Sequence, residues 1–270
     1  MTQAYTTELT LEQYELLASL LPPETATGRP RTVNMMSVIQ GILYVLVSSC
    51  AWRLMPKEYP PSSTVYYYFS KWRNDGSWKR INDHLVEWVR VAEDRDPSPS
   101  VASIDSQTVP TAVMVSDSVG YDAGKKTKGR KRFTMVDTLG LLLMVKVVAA
   151  DIQERDGAKQ LLTKMNEERH RVPRLARIWF DGGFSGPDFL HWVMDICHWI
   201  VDVVLRPNGS KGFVLLPKRW TVERTYGWLH WCRRLNVDYE RLPTSSVREA
   251  SRSEAFIHIA MIRLMLRRLA

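Results

Sequence analysis

The chain has 270 residues, of which 45% are hydrophobic, and a formal net charge of +8. This length predicts one main domain with a substantial core and a small second domain. The three cysteines, Cys50, Cys197 and Cys232, are an odd, widely spaced set with no C-x-x-C pair, so they indicate neither a disulfide framework nor a zinc cluster. They favour reduced, buried thiols in the cytoplasm. The N-terminus lacks a basic start followed by an apolar run, so we expect neither an export signal nor a membrane span.

The positive charge is concentrated in two places. Residues 206–270 contain 13 Lys or Arg against 5 Asp or Glu, which accounts for the whole excess. A second cluster, KKTKGRKR at 125–132, has six basic residues in eight positions. Such clusters attract polyanions by releasing counterions, which makes nucleic acid the leading class of partner. The alternative is that these runs are solvated loops.

The first 96 residues predict four helices. Thr10 and Gln13 can form a capping box before the first helix, and a second helix is expected over 33–49. A third begins at Ser62 or Ser63 after a proline-bounded turn, and a fourth begins at Ser77. The second and third helices suit a helix-turn-helix in which the third lies against DNA, although an ordinary helical bundle fits the same pattern.

A polar, proline-rich stretch at 92–100 indicates a linker, and the pattern changes after it. Three β-prone segments come first, followed by alternating helices and strands, which predicts an α/β fold with a mixed sheet flanked by helices. This order is also that of the ribonuclease H-like fold. We therefore expect a helical domain over 1–98 and a catalytic domain over 99–270. The expected strands cover 101–105, 132–138, 141–151, 176–180 and 200–206, and the expected helices cover 155–169, 185–197, 221–235 and 247–268.

Three acidic residues stand where this fold would bring them together. Asp105 is expected to end the first strand, and Asp181 directly follows the fourth, so both should face one crevice. Glu223 lies on a helix whose Val222, Tyr226 and Leu229 can face the core. Carboxylates from separate elements suit Mg²⁺, which takes oxygen ligands and keeps positions open for phosphate.

The stripe next to that core-facing side of the helix contains Glu223, Gly227, His230 and Arg234, at helical spacing. Each acid also has a plain structural interpretation as a turn or helix-terminus residue, and Asp137, Asp151 and Asp156 compete for any catalytic role. Aromatic Trp220, Trp228 and Trp231 can stack on bases, or can simply pack.

Several strings, taken in order along nearly the whole chain, resemble the small bacterial insertion-sequence DDE transposases. They are GRPRTV (28–33), WRLMPKEYPPSSTVYYYFSKWRNDGSW (52–78), SIDSQTV (103–109), GRKRF-x-x-VDTLGLLL (129–143), DIQERDGA (151–158), FDGGF (180–184) and KRWTVERTYGWL-x-x-x-RRL-x-x-DYE (218–240).

The resemblance implies a helix-turn-helix-like N-terminal region for DNA binding and a ribonuclease H-like catalytic core. It implies that Asp105, Asp181 and Glu223 are the catalytic triad and hold two Mg²⁺ ions, with Mn²⁺ able to substitute. The implied reaction is hydrolysis of a phosphodiester at the end of the element, followed by attack of the freed 3′-hydroxyl on target DNA. The implied partners are double-stranded terminal inverted repeats, target DNA and further copies of the chain, in a homodimer or higher oligomer.

Basic residues are also expected to contact the DNA, and the family resemblance supports this for Arg219. Phosphates beside the acids would be held by Lys218, Arg219 and Arg224, with His230 where a lysine is usual. The flanking backbone would be held by Lys128, Arg130, Lys131 and Arg132, and the recognition helix would present Lys71 and Arg73, with Lys79 and Arg80 nearby.

Two rival functions stay open: a structure-specific nuclease of the same fold, and a DNA-binding regulator with a silent core. The 42 residues from Asp181 to Glu223 allow one helix, one strand and a loop, so we expect no insertion domain between these two acids.

Overall fold

The computed structural model describes residues 5–23, 31–115, 118–205, 217–240 and 252–270, with 217–219 described only as part of a helix. In these ranges no helix is long and apolar enough to cross a lipid bilayer. The cysteines are all free thiols; Cys197 and Cys232 are buried and Cys50 is partly buried.

Four helices form the N-terminal region, as expected. The capping box is present, because the Thr10 hydroxyl accepts from the Gln13 amide and the Gln13 side chain accepts from the Thr10 amide. Gly76 precedes the fourth helix with a φ of +74°, a left-handed conformation that glycine adopts without strain. The helices are α1 (Leu11–Ala18), α2 (Met35–Ser48), α3 (Ser62–Asn74) and α4 (Ser77–Ala92), with a 3-10 turn at Trp52–Leu54 between α2 and α3.

The second part of the chain contains a six-stranded mixed sheet. Its strands are β1 (Val101–Pro110), β2 (Gly120–Asp122), β3 (Thr127–Asp137), β4 (Leu142–Ala149), β5 (Arg177–Asp181) and β6 (Ile200–Val204). The central order is β3-β1-β5-β6, with β2 and β4 also paired to β3. β3 runs antiparallel to β1, whereas β5 and β6 run parallel to it. The fold prediction, a ribonuclease H-like mixed sheet, is confirmed.

Two strands are longer than expected. Asp105 was predicted to end β1, but β1 continues to Pro110 because it pairs with β3 as far as Gly129. β3 correspondingly begins at Thr127, within the basic run. The apolar pattern stops earlier because polar residues occupy these paired positions. The three-residue strand β2 was not predicted, since it is too short to show a pattern.

Four further helices cover the sheet: α5 (Glu154–Glu167), α6 (Pro187–Cys197), α7 (Pro217–His230) and α8 (Arg252–Leu269). α5 lies very close to β3, because a Cβ atom at Gly157 would come within 2.0 Å of the Phe133 ring. Phe180 of β5 packs on Phe184 and Phe189, on the side of α6.

The N-terminal helices and the sheet share one hydrophobic core. α4 packs against α8 and β4, and the Asn82 amide donates to the Leu142 carbonyl at 2.8 Å. The Phe69 ring stacks on Phe256 of α8, with 4.7 Å between ring centroids. The boundary at residue 98 between a helical domain and a catalytic domain remains a prediction, because residues on both sides of it belong to the same hydrophobic core.

Candidate active site

Asp105 and Asp181 lie on neighbouring parallel strands at the same level. The last pair in the β1–β5 ladder is Ser103 with Trp179, and each aspartate comes two residues later. Since side chains alternate along a strand, both aspartates lie on one face of the sheet. Phe180 points to α6, so Asp181 points away from α6. The structure thus supports the prediction that Asp105 and Asp181 face the same crevice. Asp105, however, lies in the middle of its strand and not at its end.

A backbone amide holds one oxygen of each aspartate. The Ser106 amide donates to Asp105 Oδ1 at 2.7 Å, and the Gly183 amide donates to Asp181 Oδ1 at 2.8 Å. Gly183 lies in a 3-10 turn, Gly182–Phe184, that directly follows β5. These bonds limit rotation of the carboxylates.

α7 crosses the face of the sheet that carries Asp105. Its residues Val222, Tyr226 and Leu229 are 2%, 7% and 1% exposed, which confirms the predicted core side. The Tyr226 hydroxyl donates to the backbone carbonyl of Asp105 at 2.9 Å. Burial raises the pKa of Tyr226 well above 10, with Asp105 adding to the effect, so this hydroxyl stays protonated and donates. The hydrogen bond was not predicted, because no pattern in the sequence pairs these two residues.

The adjacent side of α7 carries Glu223, which is partly buried, and Gly227 and His230, which are exposed. His230 Nε2 lies 3.0 Å from the side-chain nitrogen of Gln107, which is two residues beyond Asp105 and on the same face of β1. The expectation that this stripe continues to Arg234 is wrong. α7 ends at His230, and the Arg234 side chain is buried against Glu240.

The three acids are therefore on one side of the sheet, but their side chains do not form a metal-binding cluster. Among the described residues, no group of three or more His, Cys, Asp or Glu side chains is arranged to hold a metal ion. The chemistry of the donors fits a hard divalent cation, because all three are carboxylates on separate, well-supported elements.

The basic residues predicted beside the acids have different positions. The Arg224 guanidinium donates to the Leu139 carbonyl at 3.0 Å and lies over the Trp228 ring, 4.9 Å from its centroid. It is thus directed at the β3–β4 turn. The side chains of Lys218 and Arg219 lie outside the described residues.

The predicted DNA contacts of the basic run need correction. Arg130, Lys131 and Arg132 are 6%, 5% and 1% exposed, so these side chains are not on the surface. Strand alternation explains this: Arg130 pairs with Asp238 at 3.1 Å and Arg132 donates to the Leu235 carbonyl at 2.8 Å, both in the segment after α7. Burial lowers the pKa of Arg132 to about 10.

Lys131 points the other way and pairs with Glu154 at 3.1 Å, at the start of α5. Lys128 is exposed, as are Lys125 and Lys126. The run thus divides into an exposed part that DNA can reach and a buried part that holds α5 and the end of α7 on the sheet.

The predicted exposed residues around α3 are also partly corrected. Lys71 is partly buried, and Arg73 is 7% exposed with its guanidinium on the Asn74 side chain. Lys79 forms an ion pair with Glu168, while Arg80 is exposed. Arg73 is buried because it follows Trp72 on the core side of α3.

The competing acids are distinguished by their surroundings. Asp137 is 1% exposed, pairs with Arg90 and accepts from the Leu139 and Leu141 amides at 2.9 and 2.8 Å. Burial raises its pKa, against the effect of these partners. Asp137 therefore stabilises the β3–β4 turn. Asp151 and Asp156 are exposed beside or within the first turn of α5.

A ribonuclease H-like sheet with acids on neighbouring central strands defines a class of enzymes that act on nucleic acids, and comparison with known proteins identifies the family. Residues 96–248 match the family described as "Transposase DDE domain", so the chain belongs to the DDE transposases. Residues 9–82 match the family described as "Putative transposase of IS4/5 family". DDE transposase domains generally use divalent metal ions.

The chain is also similar to a curated protein of Burkholderia cepacia, "Insertion element IS402 uncharacterized 16.2 kDa protein". The two are 31% identical over 105 residues, which are 36% of this chain and 69% of the relative. The resemblance predicted from the sequence motifs is confirmed.

Proposed function

We propose that this transposase binds the terminal inverted repeats of an insertion sequence, cleaves a DNA strand at the element end and transfers that end to target DNA. The observation that carries the proposal is the pair Asp105 and Asp181, level on neighbouring parallel strands beneath the helix that bears Glu223.

Asp105, Asp181 and Glu223 would hold Mg²⁺, or Mn²⁺ in its place. When bound, such ions supply charge stabilisation at the phosphodiester and activate the attacking oxygen. The chain itself contributes positioning: backbone amides orient the two aspartates, and the Tyr226 hydroxyl ties α7 to the strand of Asp105. Fixed geometry of this kind lowers the barrier by holding reactants in place.

The surface beside these acids is suited to DNA. His230 and Gln107 lie along the same face, and Trp231 next to them is 81% exposed. Lys128 is exposed further along the neighbouring strand β3, six residues from Thr134, which pairs with Asp105. A basic, aromatic surface can bind a phosphate backbone and stack on an unpaired base.

The test uses the full chain and duplexes that carry the inverted repeats flanking its gene, with a supercoiled plasmid as target and Mg²⁺ present. We expect strand cleavage at the repeat ends and covalent joining to the plasmid, both abolished by a chelator. A duplex with scrambled ends is the control.

Two outcomes would overturn the proposal. Cleavage that depends on DNA structure but not on end sequence, without joining, would favour a structure-specific nuclease. Specific binding of the ends without cleavage in Mg²⁺ or Mn²⁺ would favour a DNA-binding regulator.

A further inference from the structure

A cleft of about 580 Å³ lies between the N-terminal helices and the segment after α7, and none of the three predicted catalytic acids is among its described lining residues. It is lined by Arg53 of the 3-10 turn, by Ser62 and Ser63 of α3, and by Arg234 and Arg252. Glu240 is the one carboxylate among its described lining residues. Three arginines against one glutamate give these described lining residues a net charge of about +2, which favours an anionic ligand.

Two of the arginines are held rigidly. The Arg234 guanidinium donates to the Cys50 carbonyl at 3.2 Å and to Glu240 at 2.6 Å, and it lies 5.2 Å from the Phe256 ring centroid. Arg252 lies 5.9 Å from the Tyr66 ring centroid and 3.9 Å from Glu240. A positive site that is already ordered loses little conformational entropy when it binds an anion.

The positive charge of this cleft is incompletely neutralised. Among the described residues, Arg234 and Arg252 share Glu240 as their one carboxylate partner, at 2.6 and 3.9 Å, so one negative charge faces two guanidinium groups.

The first turn of α3 adds to the attraction. Ser62 and Ser63 are its first two residues, and the preceding Pro61 provides no side-chain cap. The amides of a first helical turn have no partners within the helix, and they attract phosphate groups together with the helix dipole. This 13-residue helix therefore presents its positive end to the same cleft as the three arginines.

We propose that this cleft binds a backbone phosphate of the DNA on which the transposase acts, as a contact separate from the catalytic acids. The inference rests on the proposed function, since the anion is taken to be part of a DNA duplex. Arg53, which is exposed, and the amides of Ser62 and Ser63 meet the phosphate. Arg234 and Arg252 supply the fixed positive charge behind it.

The experiment measures binding of a labelled duplex to the full chain by fluorescence anisotropy over a range of salt concentrations. Each phosphate contact contributes about 0.9 to the slope of log K against log salt. We expect Arg53→Ala to lower the slope by about one and to weaken binding several-fold, and Arg53→Lys to restore most of the slope. Arg174→Ala is the matched control, since Arg174 is a half-exposed arginine paired with Asp96 outside the cleft.

A second variant separates binding from folding. Ser63→Asp places a negative charge at the N-terminus of α3, where it stabilises the helix, so we expect Tm to be unchanged or raised. The same charge repels phosphate, so we expect DNA binding to weaken. An effect on binding without loss of Tm cannot come from misfolding.

The inference is overturned if Arg53→Ala and Ser63→Asp keep the wild-type slope, or if Arg174→Ala loses as much. Calorimetric titration with inorganic phosphate tests whether the ligand is a free anion and not DNA. If Arg53→Ala loses phosphate binding but keeps the wild-type salt slope for DNA, the assignment of the cleft to DNA is overturned. If the wild type cleaves and joins ends while these variants bind DNA normally, this inference alone fails. If the wild type does not bind DNA, the proposed function fails with it.

Discussion

The charged residues of the sheet form two groups with opposite surroundings. Arg132 and Asp137 are each 1% exposed. Each is bonded to a segment that is remote in the sequence but adjacent in space. Asp105 and Asp181 are partly exposed at the face crossed by α7. Residues of the same chemical type therefore serve different purposes, and burial with an internal partner distinguishes them.

The physical reason is the cost of removing a charge from water. A buried charge is tolerated only when it is paired and hydrogen-bonded, so its partners are inside the protein. A carboxylate at a crevice can exchange water for a cation or a substrate. This comparison predicts that buried charges control stability and that the crevice acids control activity.

The largest effect is expected at the crevice. Asp181→Asn keeps an oxygen that can accept from the Gly183 amide but removes the negative charge. We expect strand cleavage to fall by at least about a thousandfold, roughly 4 kcal/mol in the barrier, with an unchanged free energy of unfolding. Asp105→Asn and Glu223→Gln should behave alike. Rates from an oligonucleotide assay and urea unfolding curves test this, and near-normal cleavage by any of the three would remove that residue from the triad.

The next effect is expected in the buried group. Arg90→Ala leaves Asp137 as a buried carboxylate without its cationic partner, and this should cost about 3 kcal/mol in the free energy of unfolding. The loss should shrink at acid pH, because the raised pKa of Asp137 means that its protonated form is favoured in the folded state.

Urea unfolding measures both effects. The control is Arg174→Ala, which breaks the partly exposed pair with Asp96 and should cost under about 1 kcal/mol. Equal losses in the two variants would contradict the distinction between buried and exposed charges.

A buried histidine, His258, should make the free energy of unfolding depend on pH. Burial lowers the pKa of His258 in α8 to about 3, and the nearby Arg171, Lys164 and Lys79 add to this effect. In the unfolded chain its pKa is about 6.5. Above about pH 6.5 the ring is neutral in both the folded and the unfolded chain, so it does not oppose folding. As the pH falls from about 6.5 towards 3, protonation of the unfolded chain lowers the free energy of unfolding.

Between pH 7 and pH 5 this one group should lower the free energy of unfolding by about 2 kcal/mol. We expect His258→Gln to reduce the acid sensitivity of unfolding by that amount, measured by urea titration at both pH values. An unchanged difference between the two pH values would show that His258 is not buried in its neutral form.

The smallest effect concerns the hydrogen bond between Tyr226 of α7 and the strand that carries Asp105. Tyr226→Phe removes the hydroxyl that donates to the Asp105 carbonyl, and this should cost about 1 kcal/mol of stability. Because the bond positions α7 over β1, we also expect the cleavage rate to fall while DNA affinity is kept. A fall in affinity with an unchanged rate would argue against a positioning role.

The elements of the fold could be predicted because their residues follow local periodicities. Val222, Tyr226 and Leu229 repeat at helical spacing, and they are the buried side of α7. β3 and β4 correspond to the β-prone segments expected over 132–138 and 141–151. These features depend on neighbours close in the chain, which a sequence displays directly.

The basic run shows where local patterns are insufficient. Six basic residues at 125–132 predict a charged surface, but β3 extends into them and pairs with β1. Both faces of this strand are covered, so the consecutive side chains of Arg130, Lys131 and Arg132 are all buried. Their partners, Asp238 and Glu154, are far away in the chain. No local pattern shows which distant acid will neutralise a lysine or arginine.

The sequence by itself determined the order of the helices and of the strands other than β2, the three acids of the predicted triad and, through its motifs, the resemblance to DDE transposases. Only the tertiary structure decided that Asp105 lies level with Asp181, that Tyr226 bonds to the carbonyl beside it, and that Arg53, Arg234 and Arg252 share one cleft. The reason is that secondary structure follows from the chemistry of adjacent residues, whereas sites and buried pairs depend on the packing of segments that are remote in the chain.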